Sequence, residues 1–439
     1  MPEKTFEPQV VVIGAGPVGC LLSLRLVRAG IPVCLIEKDP EIQPHFRALG
    51  YPGSTHAALY KAGIWEEANE RGFTKEGFSW RKPPRLLKEH ETELPWGDVV
   101  VNWNPYIDSP LKPGDIGYGM IALPQNKFRE IIMPRLLAAS ELADVRLGYE
   151  MVKLSQNTTS VTVTAKGPGG EHLEITAPYL VGADGAKSMV RKSLGQHLEG
   201  FTWPDIVVAV DAYVNLPAPA DSFPSLYVLD PKDYAFMAKM DRPGENGKDR
   251  DLWRMTIAMS PEECEPDVFD QILKEKIERL TPGPRPLRYE LLRAQPYRLH
   301  QRHVQSMLQG RCLLIGDAAH LTNPFGGLGL TTGILDADSL GDSLLYVLKE
   351  GRSAEILQRW ADARLAVFKD IVSPAATENK LRCHETSMED PYSDPFFRMV
   401  RDNAPELVTM NQGFQRIVTD MSKLLGKRPE LGPDPRAAL

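Results

Sequence analysis

Residues 10–37, VVVIGAGPVGCLLSLRLVRAGIPVCLIE, form the segment that most restricts how this chain can fold. Val10–Ile13 is a short β-branched run that reads as a buried strand. Gly14-Ala15-Gly16-Pro17-Val18-Gly19 follows at once, and leucines at helical spacing then run to Ala29. Gly30 ends the helix, and Ile31–Glu37 is a second apolar run closed by an acid and by Lys38. This is a complete βαβ unit, so the expected fold is an α/β sheet. Gly14 permits the tight turn, Gly16 lets backbone approach a pyrophosphate, and Gly19 lets helix and strand pack closely. The helix start, from Pro17 and Val18, offers N–H groups and the positive end of its dipole to phosphates. Glu37 can accept hydrogen bonds from an adenosine ribose and would repel a 2′-phosphate. The unit therefore suits FAD or NAD over NADP, and leaves the first two open.

Two later segments narrow the choice. Tyr179-Leu180-Val181-Gly182 is an apolar strand that ends in Ala183-Asp184-Gly185, with Ser188 and Arg191 behind it. Cys312–Ile315 repeats the pattern before Gly316-Asp317-Ala318-Ala319-His320, and Asn323-Pro324-Phe325-Gly326-Gly327-Leu328-Gly329 follows. An aspartate at the C-terminal end of a strand sits where open α/β sheets bind ligands, and can hold sugar or ribityl hydroxyls. The glycines after Pro324 open a backbone surface at a helix N-terminus, which can lie flat against a flavin ring. N–H groups there favour negative charge at flavin N1–C2=O.

Composition limits the remaining possibilities. At 439 residues the chain exceeds the usual single-core ceiling, so one large or two intimately joined domains are expected. A hydrophobic share of 42% and a charged share of 25% are those of a globular protein. The formal charge of −7 argues against a dedicated nucleic-acid binder. No apolar run approaches the ~18–20 residues of a membrane span, and Met1–Gln9 has no apolar signal core. A cytoplasmic protein without membrane insertion is expected. Cys20, Cys34, Cys264, Cys312 and Cys383 form no CxxC pair, so neither a disulfide framework nor a metal site is expected.

Phe73–Gly119 reads as loops and short strands, Leu123–Glu141 as a helix, and Val145–Thr164 and His172–Leu180 as strands. Ser225–Leu229, Tyr234–Met240 and Leu252–Met259 alternate as in an antiparallel sheet, with a helix over Phe269–Leu280. A long helical region runs to about His384, and Leu407–Leu425 is an amphipathic stretch read as a terminal helix.

With these residues in place, the chain resembles the class A flavoprotein monooxygenases, the aromatic hydroxylase family of para-hydroxybenzoate hydroxylase. The resemblance runs from about residue 8 to residue 385 and keeps GAGPVG, GADG…R and GDAAH…P in order. It implies a glutathione-reductase-type FAD-binding Rossmann domain, interrupted by an antiparallel β-sheet substrate domain. The implied boundaries are 1–80, 110–198 and 300–385 for FAD, 81–109 and 199–299 for substrate, and 386–439 for a C-terminal helix and tail.

The resemblance also implies roles. Gly14, Gly16, Gly19 and Glu37 would hold the ADP half of FAD, with Pro17, Val18 and Lys38 beside them. Arg47 would reach the flavin and pyrophosphate side, and Gln125 would contact the cofactor. Asp184 and Gly185 match a motif tied to FAD and to the pyridine nucleotide; Gly316 and Asp317 match the ribityl site. Pro324, Gly327, Gly329, Leu330 and Thr331 match the loop beside the isoalloxazine, with Thr331 standing where many relatives have Asn. Arg191 is a candidate for flavin or pyridine-nucleotide traffic, and His320 is read as structural.

The implied chemistry uses NADPH or NADH as a transient donor, since only one dinucleotide fingerprint is present. Reduced flavin then reacts with O2 to give a C4a-hydroperoxide, which hydroxylates a phenolic or polyketide-like aromatic small molecule of the kind found in secondary metabolism. No side chain need act as nucleophile, although a group that takes the phenol proton would help. Tyr227, Tyr234, Lys239 and Arg254 are the pocket candidates on the expected sheet face. Epoxidation of an indole or alkene, and a flavoprotein without monooxygenase activity, remain as alternatives. The oligomeric state is not readable from the sequence.

Overall fold

The computed structural model describes residues 6–41, 50–217, 223–241, 250–413 and 416–425. Val10–Ile13 and Val33–Glu37 pair in parallel, joined by a crossover through the helix Pro17–Arg28. They belong to a six-stranded sheet in the order Leu308–Gln309, Cys312–Leu314, Tyr179–Gly182, Val10–Ile13, Val33–Glu37, Ala143–Leu147. All neighbours run parallel except the edge pair at Leu308–Gln309. Val10, Val11 and Val12 are wholly buried, which is why this strand reads as an unbroken apolar run. The helix Leu328–Leu348 packs on the helix Pro17–Arg28 and helps close that core.

This strand order matters for the site. The three motif-bearing strands are immediate neighbours, so Gly14, Ala183 and Ile315 leave the sheet side by side. Segments far apart in sequence are thus delivered to one edge.

A three-stranded antiparallel sheet follows over Glu150–Gln156, Val161–Lys166 and His172–Ala177. The larger second sheet has eight strands. Its order is His320–Leu321, Tyr289–His303, Glu199–Val214, Asp251–Met259, Ala235–Lys239, Ser225–Val228, Phe78–Arg81, Val99–Trp103. It is antiparallel apart from the parallel contact of Ser225–Val228 with Phe78–Arg81. The helix Phe269–Leu280 lies at the expected position, with Leu273 and Ile277 buried among Met237, Trp253, Met255 and Ile257 on one sheet face. Strand alternation turns Arg254 and Thr256 to the other face.

The amphipathic stretch near the C-terminus differs from expectation. It forms two short helices, Glu406–Gly413 and Met421–Leu424, in place of one. Among the described residues no helix is long and apolar enough to cross a membrane, and no group of three or more His, Cys, Asp or Glu side chains is placed to hold a metal.

Candidate active site

The first glycine turn is built by contact. Gly14 has φ +103°, and a Cβ there would lie 2.5 Å from the carbonyl oxygen of Ala183 on the neighbouring strand. A Cβ on Gly19 would fall 2.0 Å from the carbonyl oxygen of Gly14. Gly16 differs, because a Cβ there meets no protein atom within 4 Å and would project into open space. The helix begins at Pro17 with no side chain capping its first turn. Glu37 supports the turn, its Oε2 accepting from the Ala15 N–H at 2.7 Å and its Oε1 from the Asp39 N–H at 3.0 Å.

The second turn is held by its own aspartate. Asp184 accepts from Ser188 Oγ at 2.5 Å and from the N–H groups of Met189 and Val190 at 2.7 and 3.2 Å. Its carboxylate therefore caps the short helix Met189–Ser193. Arg191 is buried and donates to Ala318 O and Ala186 O, joining the second turn to the third. It does not line the cavity described below.

Beneath the third turn lies a buried ionic group. Asp336 accepts from His320 Nε2 at 2.7 Å, from Arg364 Nε at 2.7 Å and from the Gly316 N–H at 3.0 Å. Burial opposes its ionisation, but His320 and Arg364, with the Gly316 N–H, hold its carboxyl down at about 2. His320 is 2% exposed and stacks on Phe368 at 4.7 Å, so it is structural as read from the sequence. Thr331 turns its hydroxyl back to the Gly327 carbonyl at 3.1 Å.

These turns open into one cavity of ≈ 1750 Å³ that also reaches the second sheet. Of the residues expected at the cofactor, Gly14, Gly16, Pro17, Val18, Glu37, Lys38, Gln125, Asp184, Gly185, Gly316, Asp317, Pro324, Gly327, Gly329, Leu330 and Thr331 line it. Gly19 lies beneath the turn, and Arg47 falls outside the described residues.

The sheet face is ordered by register. One row across the strands reads Arg293, Asp211, Arg254, Ala238, Ser225; the next reads Gln295, Ala209, Thr256, Phe236, Tyr227, Trp80. All of these except Asp211 line the cavity. The face thus passes from a polar row to an aromatic wall, which Phe78 and Trp103 extend.

Of the four pocket candidates, two line the cavity and two do not. Tyr227 lines the cavity, stacks on Trp80 at 4.9 Å and donates to the Phe325 carbonyl at 2.6 Å. Burial pushes its hydroxyl far above the usual range, so it is a neutral donor fastening the sheet to the Pro324–Gly326 turn. Arg254 also lines the cavity, but both its Nε and Nη2 are bonded to Asp211 at 2.7 Å.

Tyr234 and Lys239 need correction. Tyr234 lies outside the cavity lining and donates to Asp205 at 2.7 Å. Lys239 alternates away from Ala238 and pairs with Asp251 at 2.6 Å. Sequence reasoning missed Lys75, Trp80, Trp103 and Phe236, which line the same region. It also missed Asn126 and Arg129, which follow Gln125 on the helix Gln125–Ala138.

The cavity has the chemistry to hold a dinucleotide. Asn126 Oδ1 and Arg129 Nε are buried without a hydrogen-bond partner among the described residues, so a polar ligand would satisfy both. The open Gly16 position and the uncapped helix start supply the phosphate cradle.

Comparisons with known proteins agree with this geometry. A family model described as "FAD binding domain" matches residues 7–375. The chain is 33% identical over 423 residues to para-nitrophenol 4-monooxygenase of Pseudomonas sp. (strain WBC-3), covering 95% of this chain and 96% of that protein. It is 31% identical over 382 residues to 6-hydroxy-3-succinoylpyridine 3-monooxygenase of Pseudomonas putida (strain DSM 28022 / S16), covering 85% and 88%. The crystal structure of p-nitrophenol 4-monooxygenase from Pseudomonas putida DLL-E4 superposes with a TM-score of 0.80 at 30% identity, covering 96% of this chain and 99% of that one.

The chain belongs to this FAD-binding family, and within it to the class A flavin-dependent aromatic monooxygenases. Its cofactor is FAD.

Proposed function

We propose that this protein hydroxylates a small phenolic ring, using FAD, O2 and a transient NADPH or NADH. The observation that carries this reading is the convergence of three strand-end turns and one face of the second sheet on a single cavity. Held by these turns, FAD would supply the redox chemistry, hydride acceptance from the nicotinamide and activation of O2.

The chain's own residues bind and orient. The turn Gly14–Gly19 and the helix start take the pyrophosphate, while Glu37, with Lys38 beside it, receives the adenosine ribose. Gln125, Asp184, Gly185 and Arg47 complete the cofactor set by family likeness. Asp317, after Gly316, binds the ribityl hydroxyls. Pro324, Gly327, Gly329, Leu330 and Thr331 lie beside the ring. There the N-terminus of the 21-residue helix Leu328–Leu348 favours negative charge on the reduced flavin.

Tyr227, Trp80, Trp103 and Phe236 pack the substrate ring and keep water out. In this reading 1–80, 110–198 and 300–385 carry the cofactor, while 81–109 and 199–299 carry the substrate. Trp80 on Phe78–Arg81 joins the substrate side through sheet pairing. The setting is cytoplasmic.

The test is NADPH and NADH oxidation by the FAD-loaded protein across phenols, aromatic acids and indoles, including 4-nitrophenol and 6-hydroxypyridines. A hydroxylase shows oxidation accelerated by one phenolic class. A rate indifferent to every ligand with both donors would contradict the reading.

A further inference from the structure

We propose that Lys75 binds the substrate's ring hydroxyl as its oxyanion, so that the site selects aromatic rings bearing an acidic hydroxyl. This rests on the reading that the second sheet's inner face holds the substrate.

Lys75 ends the strand Phe73–Lys75 and is 2% exposed, yet it lines the cavity. Its ammonium donates to the Lys239 carbonyl at 2.6 Å. Lys239 follows Ala238, which pairs across the sheet with Arg254 on one side and Ser225 on the other. The amine therefore lies one residue past Ala238, beside the polar row and on the side away from Phe236 along that strand.

The neighbouring charges are engaged elsewhere. The Lys239 ammonium pairs with Asp251, and the Arg254 guanidinium with Asp211. Asp241 accepts from the Leu252 N–H, and the Glu76 carboxylate bonds to the Tyr118 hydroxyl. Lys75 itself forms no ion pair among the described residues; its ammonium also lies 5.2 Å from the centre of the Phe73 ring.

A buried ammonium that spends one of its three donors on a carbonyl lacks a counter-charge. An anionic oxygen in the cavity supplies that charge, whereas a neutral ether or an unsubstituted ring does not. Burial, reinforced by the charge of Lys239, pushes the Lys75 ammonium down to about 7, as an unpaired cation there requires. The Ser225 hydroxyl, buried in the same row without a partner, gives a second contact to a polar substituent.

The experiment titrates FAD-loaded wild type, Lys75→Met and Lys75→Arg with 4-nitrophenol and with its neutral methyl ether, 4-nitroanisole. It is run without nicotinamide at a pH below the phenol's own pKa. The nitrophenol's absorption reports whether the bound ligand is ionised. Wild type is expected to bind it as the phenolate. Lys75→Met should bind it about 10-fold more weakly and as the neutral phenol. Lys75→Arg should retain the phenolate spectrum, and 4-nitroanisole affinity should change less than about twofold in either variant.

The proposal is overturned if Lys75→Met still binds the phenolate with wild-type affinity, or if both ligands weaken equally, which marks a packing role. If wild type binds neither ligand and no phenol accelerates its nicotinamide oxidation, the underlying hydroxylase reading fails as well.

Discussion

The Arg191 guanidinium donates to the Ala318 carbonyl at 2.9 Å, and so ties the turn after Tyr179–Gly182 to the turn after Cys312–Leu314. Its second arm donates to Ala186 at 2.7 Å. Both bonds form with the side chain buried, so the two cavity-lining turns are held in fixed relation by one residue. Arg191→Met keeps much of the aliphatic stem but leaves both carbonyls unpaired. It should lower stability by about 2–4 kcal/mol and weaken FAD binding about 10-fold. Thermal unfolding of the apoprotein and flavin fluorescence on reconstitution measure the two effects separately.

Gly19 and Gly16 should respond differently to the same methyl group. A Cβ on Gly19 collides with the Gly14 carbonyl, so Gly19→Ala should destabilise the apoprotein by about 2 kcal/mol or more. A Cβ on Gly16 meets no protein atom, so Gly16→Ala should leave apoprotein stability nearly unchanged while FAD affinity falls. Unimpaired FAD binding by Gly16→Ala would mean the pyrophosphate lies elsewhere.

Asp317→Ala should purify largely without flavin, judged by the ratio of flavin to protein absorbance. A full complement of FAD in that variant would contradict the ribityl role.

Asp336 gives a pH dependence with a definite sign. Its folded-state carboxyl sits at about 2, below the ordinary 3.8. The unfolded state therefore takes up the proton first, and the stabilisation is present above about pH 4 and lost as the pH falls toward 2. Asp336→Asn leaves Arg364 without its buried partner and should cost about 3–5 kcal/mol at neutral pH. The gap between variant and wild type should then narrow on acidification, as denaturant titrations at successive pH values would show.

Much of the cofactor half was legible because its signals are local. Val10–Glu37, Tyr179–Gly185 and Cys312–Asp317 each carry strand, turn and polar residue within a few positions. Their adjacency is a property of strand order, which only the folded sheet displays. The substrate half was less legible. Tyr289–His303 carries Pro296 and several arginines and is exposed along much of its length, so it lacks the alternation that betrays a strand. It is held by pairing with Glu199–Val214, itself interrupted by Pro204 and register shifts. Whether Lys239 faces the cavity depends on strand phase, and a one-residue difference reverses the answer; Tyr234 shares the phase of Phe236 but lies just before the strand's start, packed on Phe325. Lys75 sits in a three-residue strand with no motif around it, and only the fold brings it to the carbonyl of Lys239.

Aromatic hydroxylation is tested most directly by mass spectrometry of the product formed under 18O2 with FAD, NADPH or NADH and 4-nitrophenol or another phenol that accelerates oxidation. One 18O atom is expected in the ring product for each molecule turned over. Ligand-stimulated oxidation that yields only hydrogen peroxide with every accelerating phenol, or a product whose new oxygen comes from water, would contradict it.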